Sequence, residues 1–141
     1  MGNVINYIKS GLIVGFSYLG YFLGGFDTLM VTLLLFMLVD YISGVINAII
    51  KKEISSRVGA EGIGKKIYII LLVGCVNLLG NAIGIDELRY LVITFYLANE
   101  GISIIENASE LGLPIPEKIK EVLIQLKSKG SDSDGKSSNN F

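Results

Sequence analysis

The chain has 141 residues, 51% of them hydrophobic and 18% charged, and its 12 basic and 13 acidic side chains leave a formal charge of −1. Its mean hydropathy of +0.59 separates it from soluble domains, which carry about 25% charge, and its length allows a single domain. The near-neutral balance argues against a nucleic-acid footprint, while the lack of histidine and the single cysteine, Cys75, exclude His/Cys zinc clusters, Ser-His-Asp or Cys-His catalysis and an intrachain disulfide.

A bilayer crossing takes about 20 mostly apolar helical residues. The first such segment covers about 4–26: Gly11 to Phe26 is uncharged, and Val4 to Ile8 extends it past Lys9, which lies near an end and can snorkel. The segment has one lysine, no compact A-x-A site and an apolar run longer than a signal peptide's, so it reads as retained. Gly11 with Gly15, and Gly20 with Gly24, form two small-xxx-small pairs. At 3.6 residues per turn the pairs fall on opposite sides of the helix, as a head-to-tail array of copies requires; the plainer reading is glycine common to membrane helices.

The second segment, 28–50, has one charge, Asp40. Ser43, Gly44, Asn47 and Ala48 follow it on one helical face, while Leu34, Leu38, Tyr41 and Val45 suit lipid on the other. A carboxylate at this depth costs roughly 2.5–3.5 kcal/mol on insertion scales, so it faces protein or water.

The loop from Lys51 to Lys66 contains Lys51, Lys52, Arg57, Lys65 and Lys66, which makes it cytoplasmic by the positive-inside rule. Its glycines Gly59, Gly62 and Gly64 precede Lys65 and Lys66 but lack the G-x-x-x-x-G-K-[ST] spacing of a phosphate loop. The loop reads as a flexible turn, with Lys66 a charged anchor at the mouth of the next span. That span, 67–85, holds 19 uncharged residues, with Cys75 expected as a small buried hydrophobe and Gly74, Asn77, Asn81 and Gly84 spaced along a face. A tight external turn at Asp86 to Arg89 leads to the fourth segment, about 90–106, where Tyr96, Asn99, Glu100, Ser103 and Asn107 gather on one side. Because it is short and contains Glu100, an interfacial or re-entrant course stays open there.

Beyond it Gly112, Pro114 and Pro116 break the helix. Residues 112–129 then read as a cytoplasmic amphipathic helix with Ile119, Val122, Leu123 and Leu126 on its apolar face, and 130–141 as a disordered tail. The fold expected is an all-α integral membrane protein: a transmembrane domain over 1–111 with three to four spans, then the cytoplasmic helix. Basic residues in the 51–66 loop and the tail put both termini in the cytoplasm.

The polar faces of three spans meet each other, another subunit or water, so Asp40, Ser43, Gly44, Asn47, Asn77, Asn81, Asn99, Glu100, Ser103 and Asn107 are candidates for a pore lining. The alternative is interhelical hydrogen bonding that only fixes a bundle, at ~0.6 kcal/mol per bond. No nucleophile, oxyanion donors, cofactor motif or metal set accompanies the two carboxylates, which argues against an enzyme. A small ion- or proton-coupled transporter using Asp40 or Glu100, and a membrane adaptor acting through the amphipathic helix, are the rival readings.

Taken together, the motifs resemble the bacteriophage lysis and clostridial toxin-secretion holins. The matching pattern is Asp40-x-x-x-Gly44 with Ala48, then Ser55, Ser56, Gly59 and Gly62 up to Lys65-Lys66, then Glu100-x-x-Ser103-Ile104 with Asn107. It closes with Gly112-Leu113-Pro114-x-Pro116 and the helix containing Lys120 and Glu121, covering roughly Leu35 to Leu126. The resemblance implies a small protein that accumulates as a homo-oligomer in the bacterial cytoplasmic membrane. At a programmed time it opens a lesion that releases an endolysin or a large toxin, without a cofactor and without a stable complex with what it releases.

Overall fold

In the computed structural model, which describes residues 2–131, each helix boundary follows from local chemistry. Helix α1 (Gly2–Leu23) stops where Gly24 and Gly25 take positive φ, 75° and 96°, a conformation open to glycine at little cost. Asp27 then accepts a hydrogen bond from the Met30 amide at 2.8 Å and caps α2 (Thr28–Ile50). A short turn containing Lys52 at φ 57° leads to α3 (Ser56–Ile83), which ends on Gly84 at φ 76°. Helix α4 (Glu87–Glu110) is closed by Gly112 at φ 77°, and α5 (Glu117–Ser131) starts directly after Pro116. The described residues thus contain five helices and no strand.

Helices α2, α3 and α4 are long and apolar enough to cross a membrane. The outward residues of the three, among them Leu35, Leu38, Val39, Leu71 and Leu79, form apolar surfaces a water-soluble fold would bury. Helix α1 falls outside this set, because Asn3, Asn6, Lys9 and Ser10 interrupt its apolar run. Its helix also ends at Leu23, so residues 24–26 of the expected first span belong to a turn.

A second difference lies in α3. The expected 51–66 loop is a turn only as far as Ser55; from Ser56 the chain is helical, eleven residues before the expected start of the third span. At 1.5 Å per residue the 28-residue α3 is about 42 Å long. Arg57, Lys65 and Lys66 therefore lie on a helix, not in a flexible loop. The glycines read as loop flexibility instead make room for a side chain: Tyr41 of α2 packs over Gly59 and Gly62. Tyr41 is consequently half-buried, as is Leu34, and both leave the lipid-facing set. Cys75 is exposed, not buried, on the outer side of α3.

The core gathers Leu23, Met30, Leu33, Met37, Ile69, Val73 and Ile93 from all four preceding helices. Phe22 of α1 lies over Gly74 of α3, where any Cβ would collide with the ring. Helices α2 and α4 run parallel, since Asp27 pairs with Arg89 at one end and Lys51 with Glu110 at the other; α3 runs opposite to both. The C-terminal helix folds back on α4, and Leu123 sits over Gly101, where a Cβ would be 2.9 Å from its Cδ2. Leu123 and Leu126 are half-buried, whereas Ile119 and Val122 of the expected apolar face are exposed. The helix continues to Ser131, and residues 132–141 of the expected disordered tail lie outside the described residues.

The Gly101 notch decides whether α5 stays docked. Replacing Gly101 by Leu overfills it, a change that costs about 1–3 kcal/mol and raises the undocked fraction about tenfold. Limited trypsin digestion of the reconstituted protein should cut at Lys118 and Lys120 correspondingly faster.

Candidate functional site

Asp40 of α2, Lys66 of α3 and Glu100 of α4 come together within the membrane-spanning helices. The Lys66 ammonium donates to Asp40 Oδ2 at 2.7 Å and to Glu100 Oε2, and the side chains of Lys66, Asp40 and Glu100 are only 15%, 16% and 9% exposed. Lys66 is thus not an anchor at a helix mouth: it is the counter-charge for both intramembrane carboxylates. Three charges from three helices satisfy each other where none is tolerable alone.

From this triad a polar seam descends between α2 and α4. Asn107 donates through Nδ2 to Asp40 Oδ1 at 3.2 Å and to Ser43 Oγ at 2.8 Å, and the Ser43 hydroxyl donates to the Asp40 carbonyl at 2.9 Å. Asn47 donates to the Asn107 carbonyl at 2.9 Å and to Glu110 Oε2 at 3.0 Å, and Lys51 closes the seam on Glu110 at 2.8 Å. Residues 40, 43, 47 and 51 on one helix, and 100, 103, 107 and 110 on the other, follow the three- and four-residue spacing that keeps a face together. The Asn47 Oδ1 is buried and has no hydrogen-bond partner among the described residues. Such an orphan costs about 1–3 kcal/mol.

Beside the triad a cavity of about 820 Å³ opens between the first half of α3 and the second halves of α2 and α4; Asn99, Ser103 and Gly44 lie on its wall. Among the described residues no three His, Cys, Asp or Glu side chains gather as a metal site.

The opposite end is held by Arg89. Its Nε donates to the Leu23 carbonyl at 2.6 Å, Nη1 to Asp27 Oδ2 at 2.6 Å and Nη2 to the Gly25 carbonyl at 3.0 Å. Asn77 adds a bond to the Phe22 carbonyl at 3.1 Å. These donors satisfy the carbonyls left open where α1 ends, and they hold the α1–α2 turn on α3 and α4. Gly24 is part of this turn, where a Cβ would strike Asn77 and Arg89; it is not a second packing face of α1. Among the described residues a Cβ at Gly20 would meet Phe26, and one at Gly11 or Gly15 would have open space around it.

The structure therefore joins Asp40, Ser43, Asn47, Glu100 and Asn107 in one network, with Gly44, Asn99 and Ser103 beside it. It separates Asn77, which serves the other end, and Asn81, which is exposed. Of the basic set, Lys66 points inward, Lys51 pairs with Glu110, Arg57 pairs with Glu61, and Lys52 and Lys65 are exposed. The Glu110 carboxylate holds the Lys51 ammonium above its usual lysine range. Arg89 was expected inside the Asp86 to Arg89 turn, whereas it lies in the first turn of α4; an arginine there, in a chain this poor in charge, was the available signal for its pairing with Asp27.

The model of the bacteriophage holin family matches residues 17–128. The chain belongs to this family. A probable holin of Bacillus phage phi105 is 34% identical over 105 residues, covering 74% of this chain and 76% of its own. An uncharacterised 14.9 kDa protein from the nagH 3' region of Clostridium perfringens is 44% identical over 133 residues, 92% of this chain and 99% of its own. An uncharacterised Listeria monocytogenes protein, Lmo0128, is 36% identical over 130 residues, 92% of this chain and 93% of its own. No solved structure matches. Membership of the holin family, together with three apolar helices long enough to span, makes this a multi-pass membrane protein, and the family implies a non-enzymatic one.

Arg89 is 6% exposed on its side chain, so cutting it to Ala strands the carbonyls it serves and is expected to cost about 1–3 kcal/mol, read as a lower Tm in detergent. The Arg89 guanidinium also holds Asp27 below the ordinary carboxyl value of 3.8. A lowered folded pKa means the stabilisation is complete above the unfolded value and is lost as pH falls through the folded one. Asp27→Asn should therefore lower Tm at neutral pH and flatten that part of its fall in acid, so that the two proteins converge as pH drops.

Proposed function

We propose that this family member acts as a holin: it accumulates and oligomerises in the bacterial cytoplasmic membrane with both termini in the cytoplasm. At a timed moment it opens a lesion through which an endolysin or a large toxin leaves. Family membership supports the class of function, and the observation that carries the mechanism is the Lys66 bridge between Asp40 and Glu100. In the closed protomer the bridge turns the polar faces of α2 and α4 inward and leaves apolar residues such as Leu35, Leu38 and Val39 on the outer side of α2. Opening requires Lys66 to leave the carboxylates, after which the faces bearing Asp40, Ser43, Asn47, Asn99, Glu100, Ser103 and Asn107 are free to line water between copies. A charge moved across the whole field gains about 2.3 kcal/mol per 100 mV, so the membrane potential is able to bias this step. The unpartnered Gly11 and Gly15 face of α1 supplies a close-approach surface between copies.

The test is induced expression in a bacterium, alone and with a muralytic enzyme lacking an export signal, following turbidity, membrane potential and release of a cytosolic reporter. Sudden depolarisation with enzyme-dependent lysis is the expected outcome. Growth with an intact potential and substrate-dependent flux would instead favour an ion- or proton-coupled transporter using the same carboxylates. Lys66→Met leaves two carboxylates facing each other without a counter-charge, a loss of about 3–5 kcal/mol from the closed state. Lysis should begin earlier, with insertion unchanged; an unaltered onset rejects the bridge as the lock.

A further inference from the structure

We propose that the cavity beside the triad is a binding site for an ammonium group bearing an apolar chain, with Glu100 as its anchor. This inference stands apart from lesion formation and does not depend on it. The volume, about 820 Å³, lies in the range of about 300–1,000 Å³ typical of small-molecule sites.

Charge selects the sign of the occupant. Three carboxylates, Asp40, Glu53 and Glu100, border the cavity against two ammonium groups, Lys65 and Lys66, which leaves one excess negative charge. That excess sits deep, because Glu53 and Lys65 at the rim are exposed whereas Glu100 is 7% exposed. Glu100 accepts from Lys66 through Oε2. A carboxylate nine-tenths buried on a cavity wall, with more lone pairs than one lysine uses, favours a cation that also brings N–H groups.

Shape and polarity select the class. Asn99 and Ser103 flank Glu100 on the cavity wall, and their side-chain oxygens are further acceptors for an ammonium, which has three N–H donors. The rings of Tyr41 and Tyr96 border the same space and suit a cation over an aromatic face. Ile54 and Val58 border the opening and are 70% and 65% exposed, an apolar rim for a hydrocarbon chain to cover. A divalent metal ion fits poorly, since its charge exceeds the single excess negative charge and the described residues offer no third buried carboxylate. Two sources present the right chemistry: the ethanolamine headgroup of a membrane phospholipid, or a free long-chain amine.

The experiment uses the full chain in nanodiscs of phosphatidylglycerol, titrated with dodecylamine carrying a dansyl group at its far end, with empty nanodiscs as the partition baseline. Saturable binding above that baseline is expected. Glu100→Gln should weaken it about tenfold, the size of one charge-assisted hydrogen bond, and an N-trimethylated probe, lacking N–H donors, should also bind more weakly. Val58→Trp narrows the apolar opening without touching a charge and should weaken binding as well; it decides the matter if Glu100→Gln loses helicity or elutes as aggregate. No saturable signal, or equal affinity for wild type and for both substitutions, overturns the proposal. Competition by added phosphatidylethanolamine identifies the lipid as occupant, whereas competition by free dodecylamine but not by that lipid identifies a free amine.

Discussion

Lys66 is the point on which the arrangement turns. Two carboxylates at membrane depth carry a desolvation cost that hydrogen bonds from neutral side chains offset only in part, and they repel each other when brought close. An ammonium between them reverses both terms, but only if α3 delivers it to the place where α2 and α4 meet. The bridge therefore constrains three helices at once. Helix α3 begins at Ser56, ten residues before Lys66, so the lysine is carried on a helix already formed where it reaches the carboxylates. The small residues Gly59 and Gly62 then allow this early part of α3 to approach Tyr41, although a cavity remains beside it.

The rest of the polar chemistry is divided between the two ends of the bundle. At one, the Asn107, Asn47 and Lys51 seam ties α2 to α4 through bonds that each contribute modestly, and the exposed Lys51–Glu110 pair adds little more. At the other, a single arginine satisfies the carbonyls of the α1–α2 turn and the Asp27 carboxylate, so that a helix making few other contacts still has a fixed exit. Between the ends the core is apolar and drawn from α1 to α4. Such a bundle turns the polar faces of α2 and α4 toward each other and ties them to α3 through one buried bridge.

Much of this was legible in the residues. Uncharged intervals located α2, most of α3 and α4, because the bilayer constraint acts on composition and length. The three- and four-residue spacing of Asp40, Ser43 and Asn47, and of Glu100, Ser103 and Asn107, marked the faces that meet, since helical periodicity is a local property. Pro114, Pro116 and Gly112 marked the break before α5 for the same reason.

What the residues alone did not settle was which partner each polar group finds. Lys66 sits in a row of basic residues that the positive-inside rule assigns to a loop, and only the packing of α3 on α2 and α4 shows it turned inward. Arg89, Gly24 and Asn77 lie more than fifty residues from some of their partners, so nothing in local spacing joins them. The sequence by itself determined the helices and their polar faces, because those depend on periodicity and transfer free energy along one stretch of chain. Tertiary structure decided the pairing of charges, because a buried ion is stable only beside a counter-ion that the fold brings from elsewhere.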